Sequence, residues 1–216
     1  MSKSPLHGLY CITDPQLTQQ SAYTIEEMVA QAIAGGAKVI QYRDKTASKA
    51  TQRQTAGVLA QLCHAQNVRF FVNDDPEIAR DSDADGVHIG QGDASLVEAR
   101  RLLGPEKQIG VSCHDSIELA LRAQAQGADY IAFGRFFSSQ TKPEARPAPL
   151  ELLTQARAVI KLPIVAIGGI TAENSQQLLD QGADMLAVIN AVFGQEHIQP
   201  AAAKIAQLFE HGTEPA

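Results

Sequence analysis

Eight short runs rich in β-branched and aromatic residues recur along this chain, and a longer stretch with apolar residues at helical spacing separates each from the next. The strand candidates are Leu9–Thr13, Val39–Arg43, Phe70–Asn73, Gly86–Ile89, Ile109–Ser112, Tyr130–Gly134, Ile164–Gly168 and Met185–Ile189. Met28, Val29, Ala32 and Ile33 illustrate the helical spacing between them. Two stretches carry helix-start signals, Thr24 with Glu27 and Asp115 with Glu118, each a capping residue three positions before a glutamate. Alternation from end to end demands parallel strands joined by crossover helices.

A weak internal repeat favours closure of that sheet. Gly36-Ala37-Lys38, Gly127-Ala128-Asp129 and Gly182-Ala183-Asp184 each precede an apolar strand, and Asp83-Ala84-Asp85 is a degenerate fourth copy. The alanines lie 47, 44 and 55 residues apart, two strand–helix units each time. Glycine here reads as the residue that ends one helix before the next strand starts. Four copies of a two-strand unit make a (βα)8 TIM barrel, an α/β fold of eight parallel strands ringed by helices. A doubly wound open sheet is the alternative, but its first-strand GxGxxG phosphate loop is absent. The 216 residues suit one such barrel as a single domain over 1–216, with 212–216 reading as a frayed tail and Pro143–Pro149 as a loop.

Composition narrows the class. Hydrophobic residues make up 44% and charged residues 19%, which excludes a disordered chain. No apolar run reaches the length of a membrane span, and MSKSPLHG lacks the apolar core of a signal peptide. Cys11, Cys63 and Cys113 are odd in number and widely spaced, which points to a reducing cytoplasm rather than a disulfide framework. A net charge of −6 without a basic run argues against nucleic acid or anionic membrane as partner. Small-molecule substrates are expected; the sequence is compatible with an oligomer and specifies none. Between Asn73 and Glu98 stand eight carboxylates and one cation, Arg80, read either as a solvated face or as a divalent-cation site.

Barrel active sites lie at the C-terminal strand ends, so the chemistry is sought there. Gln41, Arg43 and Lys45 alternate past the second strand, as an anion-binding face would, unless Lys45 is an ordinary surface cation. Asp74 and Asp93 follow the third and fourth strands and suit Mg2+, whose shell phosphate and water complete. Asp93 also reads as the cap of a helix beginning at Ala94. Ser112 ends the fifth strand, and Ser138, Ser139, Thr141 and Lys142 follow the sixth. Gly168-Gly169, the N-cap candidate Thr171, and Ile189-Asn190 follow the seventh and eighth, where barrels of this kind bind phosphate. His88 either lines the mouth or is a satisfied core histidine. No nucleophile–base pair is defensible from spacing. The two anion sites suit a metal-bound diphosphate leaving group and a phosphorylated acceptor.

The ordered motifs Gly8-Leu9-Tyr10-Cys11-Ile12-Thr13-Asp14, Gln41-x-Arg43-x-Lys45 and Asn73-Asp74 continue with Asp85–Gln91 and Asp93, Thr141-Lys142, and Ala166-Ile167-Gly168-Gly169-Ile170. On these the sequence resembles the thiamine phosphate synthase family from Gly8 to Leu208. The resemblance implies a transferase that joins 4-amino-5-hydroxymethyl-2-methylpyrimidine diphosphate to 4-methyl-5-(2-hydroxyethyl)thiazole phosphate, releasing diphosphate. It implies pyrimidine diphosphate binding by Gln41, Arg43, Lys45, Asn73 and Lys142, with Ser112 beside the diphosphate; Arg43, Ser112 and Lys142 are the catalytic candidates. It implies Mg2+ on Asp74 and Asp93, and thiazole phosphate bound by Ser139, Thr141, Gly169, Ile189 and Asn190. The implied mechanism is dissociative, through a pyrimidine carbocation captured by the thiazole nitrogen. Asp75, Arg135, Ser139 and Asn190 depart from the family's frequent Arg, Pro, Thr and Ser. The rivals are a related thiazole tautomerase, whose catalytic His is expected near Arg135, and a non-catalytic phosphate sensor.

Overall fold

The computed structural model describes residues 6–138 and 147–210. Its sheet is a closed barrel in which every strand pairs in parallel with its sequence neighbours and β8 returns to β1. The strands are β1 (Gly8–Ile12), β2 (Val39–Tyr42), β3 (Arg69–Asn73), β4 (Gly86–Ile89), β5 (Gln108–Ser112), β6 (Tyr130–Phe133), β7 (Ile164–Ile167) and β8 (Met185–Val188). Each sequence-read strand is present, with ends moved by one residue at most. The helices are α1 (Pro15–Gln20), α2 (Ile25–Ala34), α3 (Lys49–Ala65), α4 (Pro76–Asp81), α5 (Leu96–Leu103), α6 (Ile117–Ala125), α7 (Glu151–Val159), α8 (Ala172–Asp180), α9 (Asn190–Phe193) and α10 (Ile198–Ala206). No described helix is long and apolar enough to cross a membrane.

The repeat turns out to be a set of helix stops. Gly36, Gly127 and Gly182 have φ of 99°, 90° and 99°, and Asp83 of the degenerate copy also lies in the left-handed region at 57°. The following alanine then donates back across the last turn: Ala37 to Ala32, Ala84 to Ala79, Ala128 to Ala123 and Ala183 to Leu178, all within 3.1 Å. Three copies add a side-chain latch. Asp85, Asp129 and Asp184 accept from the backbone N–H of Phe70, Ile109 and Ile164 at 2.9, 2.8 and 2.7 Å, fixing where β3, β5 and β7 begin. Arg69, Arg100 and Arg157 respectively pair with these carboxylates.

Thr24 and Glu27 form the expected reciprocal cap of α2, at 3.2 and 2.8 Å. The cap read at Asp115 is corrected to Ser116, whose Oγ accepts from Leu119 N at 3.2 Å. A turn closed by Ser116 N on Cys113 O uses one residue more before α6 can begin.

Two apolar layers follow from strand alternation. Outward residues such as Leu9, Ile40, Phe70, Ile109 and Leu186 pack beneath the helices. Inward residues fill the barrel, led by Tyr10, Phe71 and Tyr130, whose ring centroids lie 5.4–6.3 Å apart. Large and small residues face each other across the ladder: Phe71 is in register with Gly86, and Tyr130 with Gly110. The aromatic plug closes the barrel's middle and forms the floor of whatever lies above it.

Candidate active site

A cavity of about 810 Å3 opens at the C-terminal ends of the strands. Its lining includes Gln41, Arg43, Lys45, Asn73, Asp74, Asp93, Ser112, Gly169, Ile189 and Asn190, so every described site residue expected from the sequence meets there. Ser139, Thr141 and Lys142 lie outside the described residues, as do the expected tail and most of the Pro143–Pro149 loop.

Gln41 points inward from β2 and is 2% exposed, because its strand is walled by β1 and β3. Thr13 steers the chain beyond β2: its backbone N–H donates to Gln41 O and its Oγ1 accepts from Arg43 N, both at 2.9 Å. Arg43 Nη1 lies 3.6 Å from Asp14 Oδ2, and Lys45 Nζ lies 2.7 Å from Asp74 Oδ2. Lys45 therefore faces the site rather than being an ordinary surface cation. Asp74 has φ 64° and donates its backbone N–H to His88 O at 2.8 Å, which turns its carboxylate toward β4. The cap role of Asp93 is corrected too. Its Oδ2 accepts from Gly90 N at 2.8 Å, folding the side chain back over the turn, while Ser95 caps α5. Burial pushes the Asp93 carboxyl above its ordinary range, and a hydrogen bond with Asp74 adds to the rise.

Five of the six other acidic residues of this segment, Asp85 of the latch among them, have structural partners. Asp75 caps α4, accepting from Glu77 N and Ile78 N at 3.0 and 2.9 Å, and also pairs with Lys49. That accounts for a carboxylate at a position where the family often has Arg. Glu77 and Asp81 meet Arg53, and Asp83 meets Lys107. Only Asp74 and Asp93 of the eight reach the cavity.

On the opposite wall, Gly168 and Gly169 have φ of 104° and 64°. A Cβ on Gly169 would stand 2.3 Å from Ser138 O, and one on Gly168 would stand 2.2 Å from Arg135 Cβ. Phe136 N and Phe137 N donate to Ile167 O and Gly168 O, at 3.2 and 3.0 Å. The glycine pair is thus also required by close approach of the segment after β6. Thr171 begins α8 as expected, with Thr171 N donating to Asn174 Oδ1 at 2.8 Å.

The spacing missed the floor. Gln41 Nε2 donates to Tyr10 Oη at 2.7 Å, and Tyr10 Oη is 3.0 Å from Tyr130 Oη. Tyr130 Oη is 3.0 Å from His88 Nδ1, whose Nε2 is 2.9 Å from Ser112 Oγ. His88 is both a cavity residue and a bonded core residue. A serine and a histidine thus meet at hydrogen-bonding distance, a contact that spacing alone does not define. Their partners lie 24 and 42 residues from His88, a separation that no local pattern reveals. A polar residue alternating inward at Gln41, His88 and Ser112 was the available signal.

A sequence profile described as Thiamine monophosphate synthase matches residues 9–192. The chain belongs to that family. A thiamine-phosphate synthase of Alcanivorax borkumensis is 49% identical over 208 residues, 95% of each chain. One from Marinobacter nauticus is 50% identical over 187 residues, 87% of this chain and 83% of that one. Among solved structures, thiamine phosphate pyrophosphorylase from Pyrococcus furiosus is similar with a TM-score of 0.87 at 36% identity, covering 96% and 97% of the two chains. As a member of the thiamine monophosphate synthase family this chain is a transferase of thiamine biosynthesis, built on the barrel its sequence implied.

Proposed function

We propose that this cavity couples 4-amino-5-hydroxymethyl-2-methylpyrimidine diphosphate to 4-methyl-5-(2-hydroxyethyl)thiazole phosphate by dissociative departure of diphosphate. The observation that carries the reading is that one cavity gathers two separate sets of residues at its mouth. Arg43, Lys45, Asp74 and Asp93 stand beyond β2, β3 and β4, while Gly169, Ile189 and Asn190 stand beyond β7 and β8.

The donor set fits Mg2+. Two hard carboxylates at neighbouring strand ends leave the remaining positions to substrate phosphate and water, and a cation would relieve the burial and mutual repulsion that raise the Asp93 carboxyl. When bound, Mg2+ supplies charge neutralisation at the diphosphate.

This chain's own residues do the rest. Arg43 and Lys45, joined by Lys142 from the segment outside the described residues, hold the diphosphate and strengthen their contacts as its charge grows. Gln41 and Asn73 orient the pyrimidine diphosphate, and Ser112 lies beside the leaving group. Gly169, Ile189 and Asn190, with Ser139 and Thr141, place the thiazole phosphate so that its ring nitrogen faces the developing carbocation. The substrates are small molecules, and neither nucleic acid nor membrane enters the reading. Burial raises all three thiols, Cys63 and Cys113 to about 12, so none of them is a reactive thiolate that the reaction could use.

The test measures diphosphate and thiamine monophosphate release with both substrates. Turnover should stop on chelation and return with Mg2+. Full turnover in a chelated, metal-free sample removes the metal assignment; diphosphate release without thiamine monophosphate removes the coupling.

A further inference from the structure

The hydrogen bonds on the cavity floor form a chain of five side chains, Gln41, Tyr10, Tyr130, His88 and Ser112. Its polarity follows from the donor at one end. An amide nitrogen carries hydrogens and accepts nothing, so Gln41 Nε2 makes Tyr10 Oη the acceptor at 2.7 Å. Tyr10 is 1% exposed, and its one hydroxyl hydrogen is directed to Tyr130 Oη at 3.0 Å. Tyr130 is fully buried and in turn sends its hydrogen to His88 Nδ1. A histidine that accepts at Nδ1 carries its hydrogen on Nε2, and there it donates to Ser112 Oγ. The serine hydrogen is then left for the cavity, which Ser112 lines.

We infer that Tyr10, Tyr130 and His88 are positioning residues for this reaction, holding His88 as the neutral Nε2–H tautomer and thereby presenting Ser112 Oγ as a hydrogen-bond donor to the pyrimidine diphosphate. The Ser112–His88 pair resembles half of a serine-nucleophile triad, but its polarity is the reverse. In such a triad a carboxylate accepts from Nδ1–H and leaves Nε2 free to take the serine proton. Here Nδ1 is the acceptor, so Nε2 has no room for that proton. A donor beside the departing diphosphate gains strength as negative charge develops there, which is what a dissociative step uses. Burial raises the hydroxyl pKa of both tyrosines, so neither is an anion able to reverse the chain. The role given to Ser112 rests on the proposed function above; the tautomer of His88 does not.

The test is a ring-nitrogen NMR spectrum of 15N-histidine-labelled protein without substrate at about pH 8, where an ordinary imidazole is neutral. His88→Asn assigns the His88 signals. The expected wild-type spectrum shows hydrogen on Nε2 and a bare Nδ1. Tyr130→Phe, which keeps the ring and removes the hydroxyl, should release the tautomer preference and lower kcat about tenfold, with the KM for thiazole phosphate within about twofold of wild type. Tyr10→Phe should keep the Nε2–H tautomer, because Tyr130 still donates to His88. An Nδ1–H or doubly protonated His88 in the wild-type protein overturns the proposal, and this spectrum needs no variant to fold. An unchanged tautomer in Tyr130→Phe overturns it as well, and so does a released tautomer with wild-type kcat. Failure of wild-type coupling would remove the functional reading while the spectrum still reports the chain.

Discussion

Gly110→Ala should be among the most damaging single-methyl additions available to this barrel. A Cβ at position 110 would stand 1.9 Å from Cζ of Tyr130 and 2.3 and 2.4 Å from its two Cε atoms, so the ring lies directly over the glycine. Ordinary contact requires the ring to withdraw by about 1.5 Å. It has nowhere to go, being packed against the Phe71 and His88 rings at centroid distances of 5.4 and 5.5 Å. It is also tied to Tyr10 and His88 by bonds of 3.0 Å. Overpacking of this kind costs about 1–3 kcal/mol, and a buried hydroxyl or imidazole nitrogen left without its partner adds about 1–3 kcal/mol. A total of about 2–6 kcal/mol corresponds to a fall in Tm on the order of 10 °C for a domain of this length. Thermal and urea unfolding of Gly110→Ala, Tyr130→Val and the double variant form the assay. Removing the ring relieves the clash, so the double variant should be more stable than the sum of the single effects predicts by about 2 kcal/mol. A Gly110→Ala protein melting within about 2 °C of wild type would refute the reasoning.

Asp93→Asn keeps an acceptor for Gly90 N but removes a carboxyl whose pKa is raised in the fold by burial and by Asp74. A raised carboxyl contributes stability below its unfolded pKa and loses it as pH rises through the folded value. Metal-free Asp93→Asn should therefore melt above metal-free wild type at neutral pH and converge with it in acid, while losing the stabilisation by added Mg2+; a lower melting point at neutral pH would count against the sign. Arg43→Ala should lower kcat by the equivalent of about 2.7–4 kcal/mol with little change in thiazole phosphate KM, whereas Asn190→Asp should raise that KM first by setting a carboxylate against phosphate. Steady-state kinetics with each substrate varied in turn separates the two walls, and interchanged effects would reverse the assignments. Asp184→Ala removes the acceptor of Ile164 N and the partner of Arg157, which should cost about 1–2 kcal/mol in urea unfolding and leave kcat unchanged; a matching loss of kcat would contradict a purely structural latch.

The parts legible in the sequence are those that local physics decides. A strand buried on both faces shows as a short β-branched run, and a helix that must stop before it shows as a left-handed residue followed by alanine; even Asp83 in the degenerate copy takes the backbone conformation of its glycine counterparts. The residues lining the cavity were legible because polar side chains at inward positions of a covered sheet need a reason to be there. Caps were misplaced at Asp93 and Asp115 because turns closing on Gly90 O and Cys113 O use residues that a linear pattern assigns to the helix. The floor stayed hidden for a different reason. Tyr10 and Tyr130 are 120 residues apart, and an inward tyrosine in an apolar strand looks like any other core aromatic until its hydroxyl partner is known.

The latch motif also divides the barrel unevenly. Three of the four strand pairs are keyed by an aspartate whose oxygen holds the N–H at the beginning of β3, β5 or β7. The first copy has Lys38 in that place, and an ammonium group offers no acceptor. Lys38 N still donates to Leu9 O at 2.9 Å, as Asp85, Asp129 and Asp184 do to Phe70, Ile109 and Ile164, but β1 lacks the reciprocal side-chain bond. The closed ring therefore has a seam, and it runs between β1 and β2. In hydrogen exchange the amides around Leu9 should open before those of Ile109 and Ile164, whose carboxylate latches β1 lacks.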